Sequence, residues 1–187
     1  MHAHTNMEMT FSKGIDSELR QSIQDTIAEA ANDVDVECHA NGLEFDESYR
    51  LVWLEDIVEV ASKLARMCQG KTPFCMRGTI DASESNGEYM DYAIDFRDDM
   101  LYSSNSVWYL NYCGTDMWDG YEEFCEEFDK KADTARGKHT YSEEFFNALQ
   151  RNFEWYSTNG FGCEHEIWLD GVHMGQPTLV NYEKKEE

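Results

Sequence analysis

Apolar and polar residues alternate with two different periods along the first eighty positions of this chain, and the periods divide it into elements. Met7, Met9 and Phe11 alternate with Glu8, Thr10 and Ser12, the period of two that predicts a strand. Leu19, Ile23, Ile27 and Ala30 then recur at helical spacing behind Asp16 or Ser17 as N-cap. Val34, Val36, Cys38 and Ala40 alternate with Asp35, Glu37 and His39, a second strand. Asn41-Gly42 reads as a two-residue hairpin turn, because both central positions of a type I′ turn need positive φ. Leu43 and Phe45 continue as the return strand. Trp53, Ile57, Val60, Leu64 and Met67 form the apolar stripe of a second helix. Its acids come early (Glu55, Asp56, Glu59) and its bases late (Lys63, Arg66), as the helix dipole favours. Phe74, Met76, Gly78 and Ile80 mark the strand that follows.

The order is strand, helix, hairpin, helix, strand, the β-α-β-β-α-β pattern of a ferredoxin-like unit, here over residues 5–82. Residues 83–182 extend the sheet. Ser85-Asn86-Gly87-Glu88 is a hairpin signal, and Met90, Tyr92, Ile94 and Phe96 alternate along the next strand. Val107, Tyr109 and either Asn111 or Cys113 can form one face of a further antiparallel strand. Asp116 to Asp133 reads as a helix with Tyr121, Phe124, Cys125 and Phe128 inward. Thr140-Tyr141-Ser142-Glu143 is a capping box. It opens a helix that buries Phe146, Leu149, Phe153 and Tyr156 and stops near Asn159-Gly160. A last hairpin is expected to turn at Asp170-Gly171, and the charged tail Glu183–Glu187 to fray. The expected class is α+β: an antiparallel sheet whose N-terminal ferredoxin-like unit is extended by hairpins and two further helices, in one compact domain.

Composition supports a folded protein. Hydrophobic residues make up 41% of the chain and aromatics 13%, enough for a core and too much for a disordered acidic tail. No apolar run approaches the ~20 residues of a membrane span, and Met1 to Gly14 lack the blocks of a signal peptide. The six cysteines are scattered without paired spacing and read as reduced thiols in a cytosol.

Charge changes the picture most. The chain carries 38 acidic and 15 basic residues, a net charge of −23. Two unit charges about 6 Å apart in water repel by roughly 0.7 kcal/mol, which is not negligible for a fold stable by about 5–15 kcal/mol. The sign opposes direct contact with nucleic acid and with anionic membranes, and favours basic protein surfaces. The acids cluster: residues 16–59 are net −11 and residues 81–133 net −12, on either side of an acid-free stretch holding Lys63, Arg66, Lys71 and Arg77.

The densest group is Asp116, Asp119, Glu122, Glu123, Glu126, Glu127 and Asp129, seven acids in fourteen residues with no base between them. On a helix they span about 21 Å, one charge per ~3 Å, close to the ~3.4 Å spacing of phosphates along one DNA strand. A solvated face that merely keeps the protein soluble explains such a run about as well. A second set on the neighbouring strands, Asp81, Glu84, Glu88, Asp91, Asp95, Asp98 and Asp99, favours a recognition surface, although Glu88, Asp91 and Asp95 do not keep a strict period of two. Aromatics near the acidic helix (Trp108, Tyr109, Tyr112, Trp118, Tyr121) are core residues or, if exposed, interface anchors.

Metal and catalytic signals are weak. Cys163-x-His165 with His173 lacks the tight ligand pairs of zinc sites, and His2-x-His4 reads as a loose chain start. Asp91 to Asp99 lacks the order of a calcium loop. Nucleophile-elbow, P-loop, dinucleotide and zinc-protease motifs are missing. Cys38 and His39 are adjacent on a strand and point to opposite faces, so they make no dyad. The expectation is therefore no metal, no cofactor and no enzyme activity.

The stretch Asn111-Tyr112-Cys113-Gly114-Thr115-Asp116-Met117-Trp118-Asp119 is similar to an N-W-G-T-K-W-D signature in small phage and plasmid proteins with a ferredoxin-like domain, over nine residues and without the lysine. In general character the chain resembles the acidic nucleic-acid mimics that phages use against restriction or CRISPR nucleases. Those proteins share charge rather than motifs, so the resemblance carries over no residue. It implies a partner with a basic nucleic-acid-binding groove, met in the cytoplasm of a host cell. An immunity protein against a toxic nuclease, and a metal-dependent enzyme or small-ligand domain, are the alternatives.

Overall fold

In the computed structural model of the chain, residues 3–32, 34–82, 88–111, 168–174 and 177–183 are described, with the single positions 143 and 147. The elements among them run β1 (His4–Phe11), α1 (Ser17–Ala30), β2 (Glu37–His39), β3 (Gly42–Ser48), α2 (Leu54–Cys68), β4 (Phe74–Ala82), β5 (Glu88–Arg97), β6 (Met100–Asn111), β7 (Trp168–Met174) and β8 (Thr178–Val180). The strands form one sheet in the order β2-β3-β1-β4-β5-β6-β7, with β8 also on β6. Every pairing is antiparallel. β1 lies between β3 and β4, so β1 and β2 run the same way with β3 between them, and β3 and β4 the same way with β1 between them. The fold is α+β, and its first six elements follow β-α-β-β-α-β.

Both helices cover one face of the sheet. α1 starts where the Asp16 carboxylate accepts the backbone N–H of Leu19 at 2.8 Å, satisfying one of the four free donors of the first turn. It buries Leu19, Ile23 and Ile27. α2 buries Ile57, Val60, Ala61, Leu64, Ala65 and Cys68, the i, i+3, i+4 stripe of an amphipathic helix. It ends at Cys68, and Gly70 just beyond has a φ of +68°, the left-handed conformation that glycine adopts without steric cost. These side chains join Met7, Met9, Phe11, Leu43, Phe45, Phe74, Met76, Ile94, Phe96 and Leu101 in a single core. Leu43, Met9, Met76 and Ile94 form one cross-strand row over four strands, and each fully buried apolar side chain contributes about 1.5–3 kcal/mol. Tyr92 reaches over Gly78 and donates to the Asn6 carbonyl at 2.8 Å. A Cβ on Gly78 would strike that hydroxyl and that carbonyl.

The structure moves several sequence expectations. The β2–β3 turn is Ala40-Asn41, with His39 opposite Gly42, and neither Asn41 nor Gly42 has positive φ. Gly42 is required for another reason: a Cβ there would collide with the Met9 carbonyl on β1. The pair with positive φ is Asp98-Asp99, both at 52°, which closes the β5–β6 hairpin between Arg97 and Met100. Only Glu37–His39 of the strand expected over residues 34–40 is a strand. Gln24 of α1 donates to the Val36 carbonyl at 3.1 Å, so that carbonyl is satisfied by a helix side chain instead of a sheet partner. Asp170-Gly171 is no hairpin turn. It sits inside β7, where the step from Val107 to Tyr109 on β6 faces the longer step from His173 to Asp170, the extra residue of a bulge. Trp53 belongs to the N-cap of α2 and is 49% exposed instead of packing in the stripe. His4 is the first residue of β1, within 3.7 Å of the buried Asp81 carboxylate, and is therefore an ordered part of the sheet. The expected helices over 116–133 and 140–159 lie outside the described residues, apart from the helical positions 143 and 147.

Candidate functional site: a carboxylate row and an aromatic corner

Residues directly opposite one another in an antiparallel sheet share a face, so the registers define what the face away from α1 and α2 presents. One row reads Glu37 (β2), Glu44 (β3), Glu8 (β1), Arg77 (β4), Ala93 (β5) and Ser104 (β6). Three glutamates thus stand on three consecutive strands, about 4.8 Å from one strand to the next. Like charges placed directly opposite destabilise a sheet by roughly 0.2–1 kcal/mol per pair. Arg77, at the end of the run, turns instead to Asp95, at 3.2 Å. Two positions beyond Glu37 on β2, and so on the same face, His39 places Nε2 2.7 Å from the Glu44 carboxylate. Oxygens of Glu37 and Glu44 and a nitrogen of His39 lie within 4.8 Å of one another. Cys38, between Glu37 and His39, is opposite Leu43 and so belongs to the other face.

The hairpin that carries this row is held from behind. Arg20 of α1 donates through its guanidinium to the carbonyl oxygens of His39 and of Ala40, the latter at 2.9 Å, with a longer contact to Gly42 at 3.5 Å. The turn is thereby fixed by a cation on the helix side while its carboxylates project on the opposite side.

A second feature lies where β3 passes into α2. Tyr49 is 65% exposed and Trp53 49%. Asp46, Glu47 and Glu55 around them are exposed as well. The Tyr49 hydroxyl donates to the Glu47 carboxylate at 2.6 Å, and its ring meets His4 edge-on at 6.3 Å. Exposed Trp and Tyr with polar surroundings are the residue types that anchor protein interfaces.

The remaining acids among the described residues are spread over several elements. Glu18, Asp25 and Glu29 are exposed on α1. Asp91 and Asp95 share the face away from α1 and α2, being opposite Thr79 and Cys75, whereas alternation puts Glu88 on the other one. Asp81 is buried beside His4. Asp99 serves the fold, because its carboxylate accepts the Gly70 N–H at 3.1 Å and ties the β5–β6 turn to the end of α2. Glu84 and the whole group Asp116, Asp119, Glu122, Glu123, Glu126, Glu127 and Asp129 lie outside the described residues, as do Cys163 and His165. Among the described residues no Lys, Arg or His comes within ion-pair distance of Glu8, Glu18, Glu29, Glu37, Asp46 or Glu55. The pairs Lys63–Glu59 and Arg66–Glu183 are surface contacts of small energetic weight.

Two of the described thiols are shifted away from nucleophilic character. Burial pushes the thiols of Cys68 and Cys75 up to about 11, which keeps both neutral. Burial likewise raises the Tyr92 phenol. Among the described residues no helix is long and apolar enough to cross a membrane.

Fold and surface together define an acidic α+β protein with an all-antiparallel sheet. No protein-family model matches the chain, and no curated protein or solved structure is similar to it at the level that would count as a match.

Proposed function

We propose that this is a non-enzymatic acidic protein that occupies the basic nucleic-acid-binding groove of another protein as a DNA or RNA mimic, inhibiting a nuclease or defence complex in the cytoplasm of a host cell. The observation that carries the reading is the carboxylate surface: a net charge of −23, with acids set directly opposite acids across three strands. A folded chain tolerates that repulsion at a cost, and a basic partner relieves it. Electrostatic complementarity of this kind speeds encounter and selects partners of opposite charge. Trp53 and Tyr49 supply apolar anchors that charge alone lacks.

The test is binding to a basic nucleic-acid-binding protein recovered from host lysate. Binding weakens as salt is raised, and nucleic acid competes for the same groove. Reversing Glu122, Glu123, Glu126 and Glu127 to lysine abolishes binding while the circular dichroism spectrum is kept. Normal binding by that variant removes the acidic 116–129 segment as the docking surface. Salt-independent binding removes the mimic reading altogether.

A further inference from the structure

We propose that Glu37, His39 and Glu44 form a binding site for one first-row divalent transition-metal ion, of the zinc type, across the β2–β3 hairpin. The register places Glu37 and Glu44 directly opposite each other, and His39, two positions from Glu37 on the same strand, returns to the same face. The three side chains bring one nitrogen and two carboxylate oxygens to within 4.8 Å of one another. Donors bound to one zinc ion at about 2.0–2.2 Å stand roughly 3.4 Å apart in tetrahedral geometry. Rotation of the exposed Glu37 and half-buried Glu44 side chains is the movement that closes the gap. The backbone is already fixed, because Arg20 holds the carbonyls of the turn and Gly42 sits hard against β1.

The donor set selects the ion. An imidazole with two carboxylates suits zinc and its first-row neighbours, whereas magnesium and calcium prefer oxygen donors throughout. A thiolate site is ruled out at this place, since Cys38 falls on the opposite face. Three protein donors leave at least one coordination position to water, the arrangement of an accessible site and not of a closed structural one. The electrostatics also favour a cation: Glu8 continues the row beyond Glu44, and among the described residues no Lys or Arg pairs with Glu37 or Glu44. A bound dication turns the repulsion between β2 and β3 into a shared attraction and ties the short edge strand to the sheet.

The experiment is isothermal titration of the reduced full-length chain with zinc chloride, alongside thermal unfolding with and without zinc. Other histidines and cysteines of the chain can also bind zinc, so the decisive quantity is the difference between variants. One zinc per chain is expected to be lost, or its affinity weakened at least tenfold, in His39→Ala and in Glu44→Gln. Cys38→Ala and Glu18→Gln keep it. Zinc raises the unfolding temperature of the parent chain and leaves that of His39→Ala unchanged. Equal zinc binding by the parent and His39→Ala overturns the site, as does binding of calcium or magnesium as tight as that of zinc. Neither result touches the docking proposal, which is read with chelator present.

Discussion

Glu37→Lys tests whether the carboxylate row strains the sheet. The oxygens of Glu37 and Glu44 lie within 4.8 Å, where two like charges in water repel by about 0.9 kcal/mol before screening. At physiological salt the Debye length of about 8 Å reduces that to roughly 0.5 kcal/mol, and at 1 M salt, with a length of about 3 Å, to roughly 0.2 kcal/mol. Replacing the acid by a base removes the repulsion and installs an attraction of similar size, a change of about 1 kcal/mol at physiological salt. The flexible lysine gives part of this back in side-chain entropy, so a net gain of about 0.5–1 kcal/mol is expected. With a urea m-value near 2 kcal/mol/M, the unfolding midpoint moves up by about 0.3–0.5 M. The measurement is a urea titration followed by circular dichroism, in chelator, at low and at 1 M sodium chloride, with Glu37→Gln giving about half the effect. An unchanged midpoint refutes the idea that the row is strained. A gain that persists undiminished in 1 M salt refutes its electrostatic origin.

Other substitutions probe the packing around the row. Gly42→Ala drives a Cβ into the Met9 carbonyl and destabilises by about 1–3 kcal/mol, read as a lower urea midpoint; stability equal to the parent shows that β1 and β3 are not held so close. Tyr92→Phe removes the hydrogen bond to the Asn6 carbonyl and costs about 1–1.5 kcal/mol, with amide exchange accelerated in β1 and β4. Asp16→Ala removes the cap on α1 at a cost of about 1 kcal/mol, visible in the same titration. Burial raises the Cys68 thiol from its ordinary 9.0 to about 11. The unfolded chain therefore sheds this proton first, stability contributed by the neutral thiol is complete below about pH 9, and it is lost between about 9 and 11. Stability against pH in that window falls less steeply in Cys68→Ala, and an identical slope contradicts the assignment.

How much was legible in the sequence depended on whether a feature is local. The two helices and the strands around them follow from period alone, because Leu19, Ile23 and Ile27, or Met7, Met9 and Phe11, declare a face without reference to any other segment. The start of β6 was not legible: Ser103, Ser104 and Ser106 alternate with little hydrophobic contrast, and only pairing with β5 makes them a strand. Glycines were ambiguous for the same reason. Gly42 looked like a turn residue and is a contact residue, since the approach of Met9 comes from a segment thirty-three positions away. The carboxylate row was invisible. Density along the chain directs attention to residues 116–129, while Glu8, Glu37 and Glu44 become neighbours only through strand register.

That register also explains why the repulsion persists. A slip of one residue between β1 and β3 would separate Glu8 from Glu44, but it would send alternate side chains to the wrong face of the sheet. On β3 the positions flanking Glu44 are Leu43 and Phe45, both buried in the core under the helices. Exposing either forfeits about 1.5–3 kcal/mol, more than the roughly 0.2–1 kcal/mol that relief of one like-charge pair returns. Hydrophobic burial therefore fixes Glu8 opposite Glu44, while Arg20 holds the turn that sets Glu37 beside them. Among the described residues only His39 reaches Glu44, and each of the two proposals supplies a further cation: a dication between Glu37 and Glu44, or the basic side chains of a partner laid along the row.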